Sequence, residues 1–140
     1  MKEELIEILE ELEHCTSREG KIKILINNKQ NDQIKTLFYY VFNPEMKFDV
    51  DIKDFDYSKG TSKFKCIFDM LDNLLMNSRV NKKNIDDETE WLHKKAIEEM
   101  NTYIYQTDDK AKYWIIKVIL KDLNIDVTID MIKEVWKNFI

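Results

Sequence analysis

The sequence predicts an all-α fold, a compact bundle of about seven short helices with an extended loop near residues 47–60. Three observations point there. Only two Gly and one Pro occur in 140 residues, too few turn formers for a β sandwich. Apolar residues recur at i, i+3, i+4 and i+7 in one segment after another. Between those segments stand the Ser, Thr, Asn and Asp residues that start and stop helices. A single domain over residues 1–140 is expected, since two separate cores would each sit near the lower size limit for folding alone.

Lys2 to His14 places Leu5, Ile8, Leu9 and Leu12 on one stripe with glutamates between them, which gives a first amphipathic helix. Thr16 and Ser17 cap a second, in which Ile22, Leu25 and Ile26 are expected inside and Asn27 and Asn28 end the run. Asn31 or Asp32 caps a third through Ile34, Leu37, Phe38 and Val41, stopped by Pro44. Phe48, Val50 and Ile52 then alternate with Asp49, Asp51 and Lys53, the period of an extended segment with its apolar side inward. Ser58 to Ser62 form the turn into a fourth helix that reaches about Met76, with Phe64, Ile67, Phe68, Leu71, Leu74 and Leu75 on its apolar face. After a partly basic connection from Arg79, Asp86 or Asp87 begins a fifth helix through Trp91, Leu92, Ala96, Ile97 and Met100 towards Tyr105. Thr107, Asp108 and Asp109 open a sixth carrying Ala111, Trp114, Ile115, Val118, Ile119 and Leu123, with Lys117 and Lys121 near its end, where cations complement the helix dipole. Thr128 caps the last helix, whose Ile129, Ile132, Val135 and Trp136 share a face.

The formal charge of −5 is concentrated at the start: Glu3, Glu4, Glu7, Glu10, Glu11 and Glu13 against Lys2 account for all of it and leave the rest neutral. Such a balance excludes a protein that coats nucleic acid indiscriminately, which needs many uncompensated cations. Cys15 and Cys66 form no CxxC and read as reduced thiols. No apolar run matches a membrane span and no secretory core follows Met1, so a cytoplasmic protein without membrane contact is expected.

Motifs for catalysis are absent. Asp49 to Asp54 begins like a calcium loop, but Lys53, Asp54 and Gly60 occupy positions where the loop needs an oxygen ligand, a Gly and a bidentate Glu. His14 and His93 have no zinc spacing and read as solvated helix residues. With only Gly20 and Gly60, phosphate-cradling loops are excluded. No cofactor, metal or catalytic residue is expected. Trp114 and Trp136 fall on apolar stripes and are read as core residues rather than base-stacking platforms.

Three stretches taken together carry a resemblance: Ile8-Leu9 to Lys29 with Ser17 and the Asn28-Lys29-Gln30-Asn31 turn; Met70-Leu71-Asp72; and Lys117 to Leu123 through Val135-Trp136. In their order and spacing the chain resembles the N-terminal all-helical DNA-binding domain of bacteriophage ATP-dependent DNA ligases of the T-even type. The resemblance implies a non-catalytic module for DNA replication and repair that grips duplex or nicked DNA through phosphates and the minor groove. Adenylation and sealing would belong to a separate catalytic domain, because the Lys-x-Asp-Gly motif of that chemistry is not among these residues. The chain is then either a piece of a ligase or a free-standing relative.

Backbone N–H groups at helix starts beside Lys, Ser or Thr are what a phosphate needs. On that rule, and on the match to the resembled family, the DNA-contact candidates are Lys29 and Asn31; Lys59, Thr61 and Lys63; and Lys117, Lys121 and Thr128. Arg79, Lys82 and Lys83 form a further basic loop. The family places a Gly in the turn before the last helix where this chain has Asn124-Ile125-Asp126. A carboxylate about 4 Å from a phosphate is repelled by ~1 kcal/mol in water, so binding is expected to be weak and salt-dependent. A second reading makes the chain a free-standing acidic viral protein that engages a basic host protein through its first helix, in the host cytoplasm.

Overall fold

The computed structural model describes residues 3–54, 67–80, 82–107 and 109–139. Among them lie seven α-helices and one 3₁₀ turn, and no strand: α1 (Glu3–His14), α2 (Arg18–Asn27), α3 (Asp32–Phe42), the 3₁₀ turn (Ile52–Asp54), α4 (Ile67–Met76), α5 (Asp87–Gln106), α6 (Asp109–Ile119) and α7 (Ile129–Val135). The predicted all-α class is the class observed. The helix-4 turn at Ser58 to Ser62, Phe64 and Cys66 lie outside the described residues.

The trace separates into two compact units, Met1–Pro44 with Lys121–Ile140, and Glu45–Leu120. In the first unit α1 packs against α2 and α3, and α2 packs against α7. Leu5, Ile8, Leu9 and Leu12 of α1 are buried as their spacing requires, facing a core that includes Leu25, Ile34, Leu37, Phe38 and Ile132. The edge of Trp136 meets Phe38 with ring centroids 6.4 Å apart, a separation at which aromatic pairs attract. In the second unit α5 packs against α4 and α6, around Met70, Leu71, Leu74, Met100, Ile104, Trp114 and Ile115.

The helix starts follow the predicted cap chemistry. Ser17 Oγ accepts from the Gly20 N–H at 3.0 Å. Asn31 Oδ1 accepts from the N–H groups of Gln33 and Ile34, Asp86 from that of Thr89, and Thr128 Oγ1 from that of Met131. Each satisfies a donor that the helix leaves open. The site of Gly20 is crowded: a Cβ there would lie 2.6 Å from Cys15 Sγ and 2.7 Å from Ser17 Oγ, so one of those side chains would have to shift.

Four expectations are corrected. Ile26 is 54 % exposed, because α2 turns Lys21 and Leu25 inward instead. Trp91 is exposed at 59 %; the inner face of α5 runs through His93, Ala96 and Met100. Ile52 to Asp54, expected to be extended, form the 3₁₀ turn, closed where the Asp54 N–H donates to the Asp51 carbonyl; Phe48 is buried and Val50 half-buried.

Finally, α6 ends at Ile119, so Lys121 and Leu123 lie beyond it. Lys121 stands at φ 59°, the left-handed conformation with which helices commonly stop. From there burial alternates: Leu123, Ile125 and Val127 are inside while Asn124, Asp126 and Thr128 face solvent. Asn124 and Asp126 both have φ 53°, and Asn and Asp are the side-chain-bearing residues that tolerate it best.

Replacing Leu25 by Ala is expected to cost about 2–5 kcal/mol of unfolding free energy. Ile26→Ala is expected to stay within ~0.5 kcal/mol. Denaturant unfolding of the two variants measures both, and similar losses would place Ile26 in the core after all.

Candidate nucleic-acid interface

Of the eight predicted DNA-contact residues, Lys29, Asn31, Lys121 and Thr128 belong to the first unit. Lys59, Thr61 and Lys63 lie outside the described residues. Lys29 and Asn31 share the turn between α2 and α3, and Lys121 and Thr128 bracket the segment before α7. Lys117 belongs to the other unit, where its ammonium sits 4.3 Å from the centre of the Tyr113 ring and 5.1 Å from that of Trp114. That placement is a cation–π contact beside the core tryptophan.

Several cations in these regions are engaged with the protein. The Lys121 ammonium donates to the Asn43 carbonyl, at the end of α3. Lys21, buried at 6 % exposure, reaches the Asp126 carbonyl at 3.5 Å. The 121–128 segment is therefore tied to main-chain oxygens by one lysine from α2 and one of its own. A cleft of about 290 Å³ opens beside it, lined by Val41, Phe42 and residues 121–128. Sequence reasoning missed Lys21, because a lysine on an amphipathic helix ordinarily reads as solvated.

The turn between α2 and α3 differs. Lys29 is exposed, while its carbonyl accepts the indole N–H of Trp136 at 3.2 Å, which pins the turn to the end of α7. An open cleft of about 400 Å³ lies at this turn, lined by Glu4, Asn27, Asn28, Gln30, Asn31 and Gln33. Two of the carboxamides have fixed orientations. Asn28 Nδ2 donates one of its two N–H groups to the Ile24 carbonyl at 2.8 Å. Asn31 Oδ1 caps α3, leaving Nδ2. The run Asn27-Asn28-Lys29-Gln30-Asn31-Asp32-Gln33 is the available signal, and in the sequence Asn27 reads only as a helix stop.

The second unit holds its own polar cluster. Asp49, at φ 58°, receives the Arg79 backbone N–H at 2.8 Å, Nε at 2.8 Å and Nη2 at 3.2 Å. Arg79 Nη1 also reaches Glu90. His93, expected to be solvated, is buried at 5 % exposure, its Nδ1 3.2 Å from the Asn77 carbonyl and 3.6 Å from Asp49. Arg79 is thus held between the carboxylates of Asp49 and Glu90. Burial by itself pushes the Asp49 carboxyl up; the Arg79 hydrogen bonds and the charges of His93 and Arg79 outweigh it and hold the carboxyl below its ordinary 3.8.

Exposed His14 places Nδ1 2.7 Å from the Glu10 carbonyl. No group of three or more His, Cys, Asp or Glu among the described residues is placed to hold a metal ion. No helix among them is long and apolar enough to cross a membrane. Comparison with protein-family models and with curated proteins returned no match.

Because the Asp49 carboxyl is depressed in the folded chain, its pairing stabilises fully above its ordinary value and is lost as the pH falls through and below about 3.8. Asp49→Asn is therefore expected to be less stable at neutral pH and to show a shallower loss below pH ~4. Denaturant midpoints across that range measure it, and a parallel acid limb in both proteins would refute the role given to the pair.

Proposed function

We propose that this chain is a non-catalytic DNA-binding module of the DNA ligase N-terminal type, gripping duplex or nicked DNA weakly through phosphates and the minor groove. The observation that carries the reading is the turn between α2 and α3, where an exposed lysine stands beside a cleft lined by five carboxamides. Lys29 supplies a charge for a phosphate. Asn and Gln are residue types that hydrogen-bond minor-groove base edges. Trp136 holds the backbone of the turn through the Lys29 carbonyl, so the main chain that carries these groups needs little ordering on binding. The positive φ of Asn124 and Asp126 adds support, since glycine readily adopts that conformation and glycine is what the resembled family places in this turn. On this reading a ligase catalytic domain is a further partner, the setting is replication and repair in the cytoplasm, and no cofactor is needed.

A second reading has its own observation. Glu4, Glu7 and Glu11 are exposed on α1, on the side away from Leu5, Leu9 and Leu12. That acidic face suits a basic host protein surface, as in a free-standing viral protein.

Affinity for a nicked duplex is expected to fall steeply between low and physiological salt, with Lys29→Ala weakening every sequence alike and lowering the log–log salt slope by about one. Fluorescence anisotropy across a salt series measures both quantities. A salt-independent Kd would remove phosphate contact as the driving term, and an unchanged slope would remove Lys29 from the interface.

A further inference from the structure

Helix α5 covers one face and leaves the other open. His93, Ala96 and Met100 are turned inward, where α5 packs against α4 and α6. On the opposite side Asp87, Glu88, Trp91, Lys94 and Lys95 are all exposed. The chain's other two tryptophans, Trp114 and Trp136, are buried, so the exposed indole of Trp91 is the exception. The Lys95 ammonium lies 4.9 Å from the centre of its ring, a cation–π contact that steadies the indole at the surface.

The charges around that indole are ordered. Asp87 and Glu88 stand one turn before it, Lys94 and Lys95 one turn after. Acids in a first turn complement the helix dipole. The lysines lie in the middle of a 20-residue helix, where the dipole has no claim on them. Nor do the two signs serve each other within the helix. Asp87 and Lys94 are seven positions apart on one flank of Trp91, and Glu88 and Lys95 seven apart on the other. That is about 10.5 Å along the axis, whereas ion pairs along a helix form three or four positions apart. Asp87, Glu88 and Lys94 enter no ion pair among the described residues.

A two-fold rotation that carries Trp91 onto its counterpart in a second copy runs the two helices antiparallel. Residues of the same flank then meet across the centre: Asp87 faces the second copy's Lys94, and Glu88 its Lys95. Symmetry repeats both pairs. A parallel arrangement would set acid against acid and lysine against lysine, so charge selects the antiparallel one. Glu98, next on the same side, falls opposite the segment before the second copy's α5 and outside this set. A face holding both signs in this order complements itself better than it complements a peptide of either sign.

We infer that this face of α5 is a self-association surface, an isologous antiparallel contact between two copies of the chain centred on Trp91. Burial of the two indoles supplies the attraction. The ion pairs fix direction and register and add little energy by themselves. The stretch from Asp87 to Lys95 covers less than the roughly 800 Å² per partner of a standard interface, so the dimer is weak, with a Kd on the order of 100 μM. The surface belongs to the second unit and does not rest on the duplex-binding reading.

Sedimentation equilibrium of the full chain at low salt, from about 10 μM to about 1 mM, measures the association. The expected result is a monomer–dimer equilibrium that Trp91→Ala weakens roughly tenfold or more. Lys94→Glu with Lys95→Glu, and separately Asp87→Lys with Glu88→Lys, should weaken it by a similar factor. Mixing the two charge-reversed proteins should give a heterodimer within about threefold of the wild-type affinity, a recovery that misfolded proteins cannot produce. Iodide quenching follows the same transition through the exposed indole, whose accessibility should fall as protein concentration rises. All five positions are exposed, so far-UV circular dichroism should match the wild type; Trp91→Ala carries the test should a reversed protein fail to fold. A chain that stays monomeric throughout overturns the inference and leaves the face to a different partner. A dimer unchanged by Trp91→Ala and by both reversals places the contact elsewhere and overturns it too. Folded reversals that abolish association without recovery on mixing overturn the antiparallel pairing on which it rests.

Discussion

The hydrogen bond from the Trp136 indole to the Lys29 carbonyl, with the Trp136 edge against Phe38, is the interaction on which the first unit turns. That unit is discontinuous in sequence: residues from the two ends of the chain share one core. The ladder of α2 ends before Lys29, so its carbonyl needs a donor from elsewhere. A donor 107 residues away supplies it. The bond joins α7 to the turn that exposes Lys29 and the carboxamides, so the turn that carries this cleft is also a closure point of the fold. The companion ion pair between Arg18 and Glu134 is exposed on both sides and contributes little beside it.

The helices were legible because their signals are local. Ser17, Asn31, Asp86 and Thr128 could be recognised as caps from residue type and position alone, and each accepts the backbone N–H expected of it. What was illegible depends on partners distant in sequence. Ile26 and Leu25 are adjacent apolar residues of one helix, and only the direction from which α1 and α7 approach decides which is covered. His93 and Asp49 lie 44 positions apart. Neither carries a mark of burial, and Asp49 is reached through a left-handed backbone that no pattern of hydrophobicity encodes. The end of α6 was misplaced for a related reason. Leu123 continues the apolar pattern, but it does so as the first member of an alternating segment, and a single residue cannot distinguish period 3.6 from period 2.

The same limit governs the site. A lysine in a sequence is a charge, and only contacts reveal whether it is available. Lys121 and Lys21 give their ammonium groups to main-chain carbonyls, Lys117 lies over aromatic rings, and Arg79 sits between two carboxylates. Each of these is a structural role for a residue that composition alone would count toward a basic face. Lys29 is exposed and contributes its carbonyl rather than its ammonium to the fold. Neutrality of residues 14–140 therefore understates how localised any attraction for a polyanion must be.

That attraction is opposed by construction. The apolar stripe of α1 must face α2 and α3, which leaves its glutamates no freedom to move away from the first unit. Glu4 consequently lines the cleft at the α2–α3 turn. A phosphate about 4 Å from that carboxylate would lose ~1 kcal/mol in water and up to ~4 kcal/mol at an effective dielectric near 20. A single lysine contact returns an amount of similar size and is screened by salt. With attraction and repulsion so nearly matched, a phosphate at this turn would gain little from charge alone, and the acidity of α1 limits the duplex binding proposed for it.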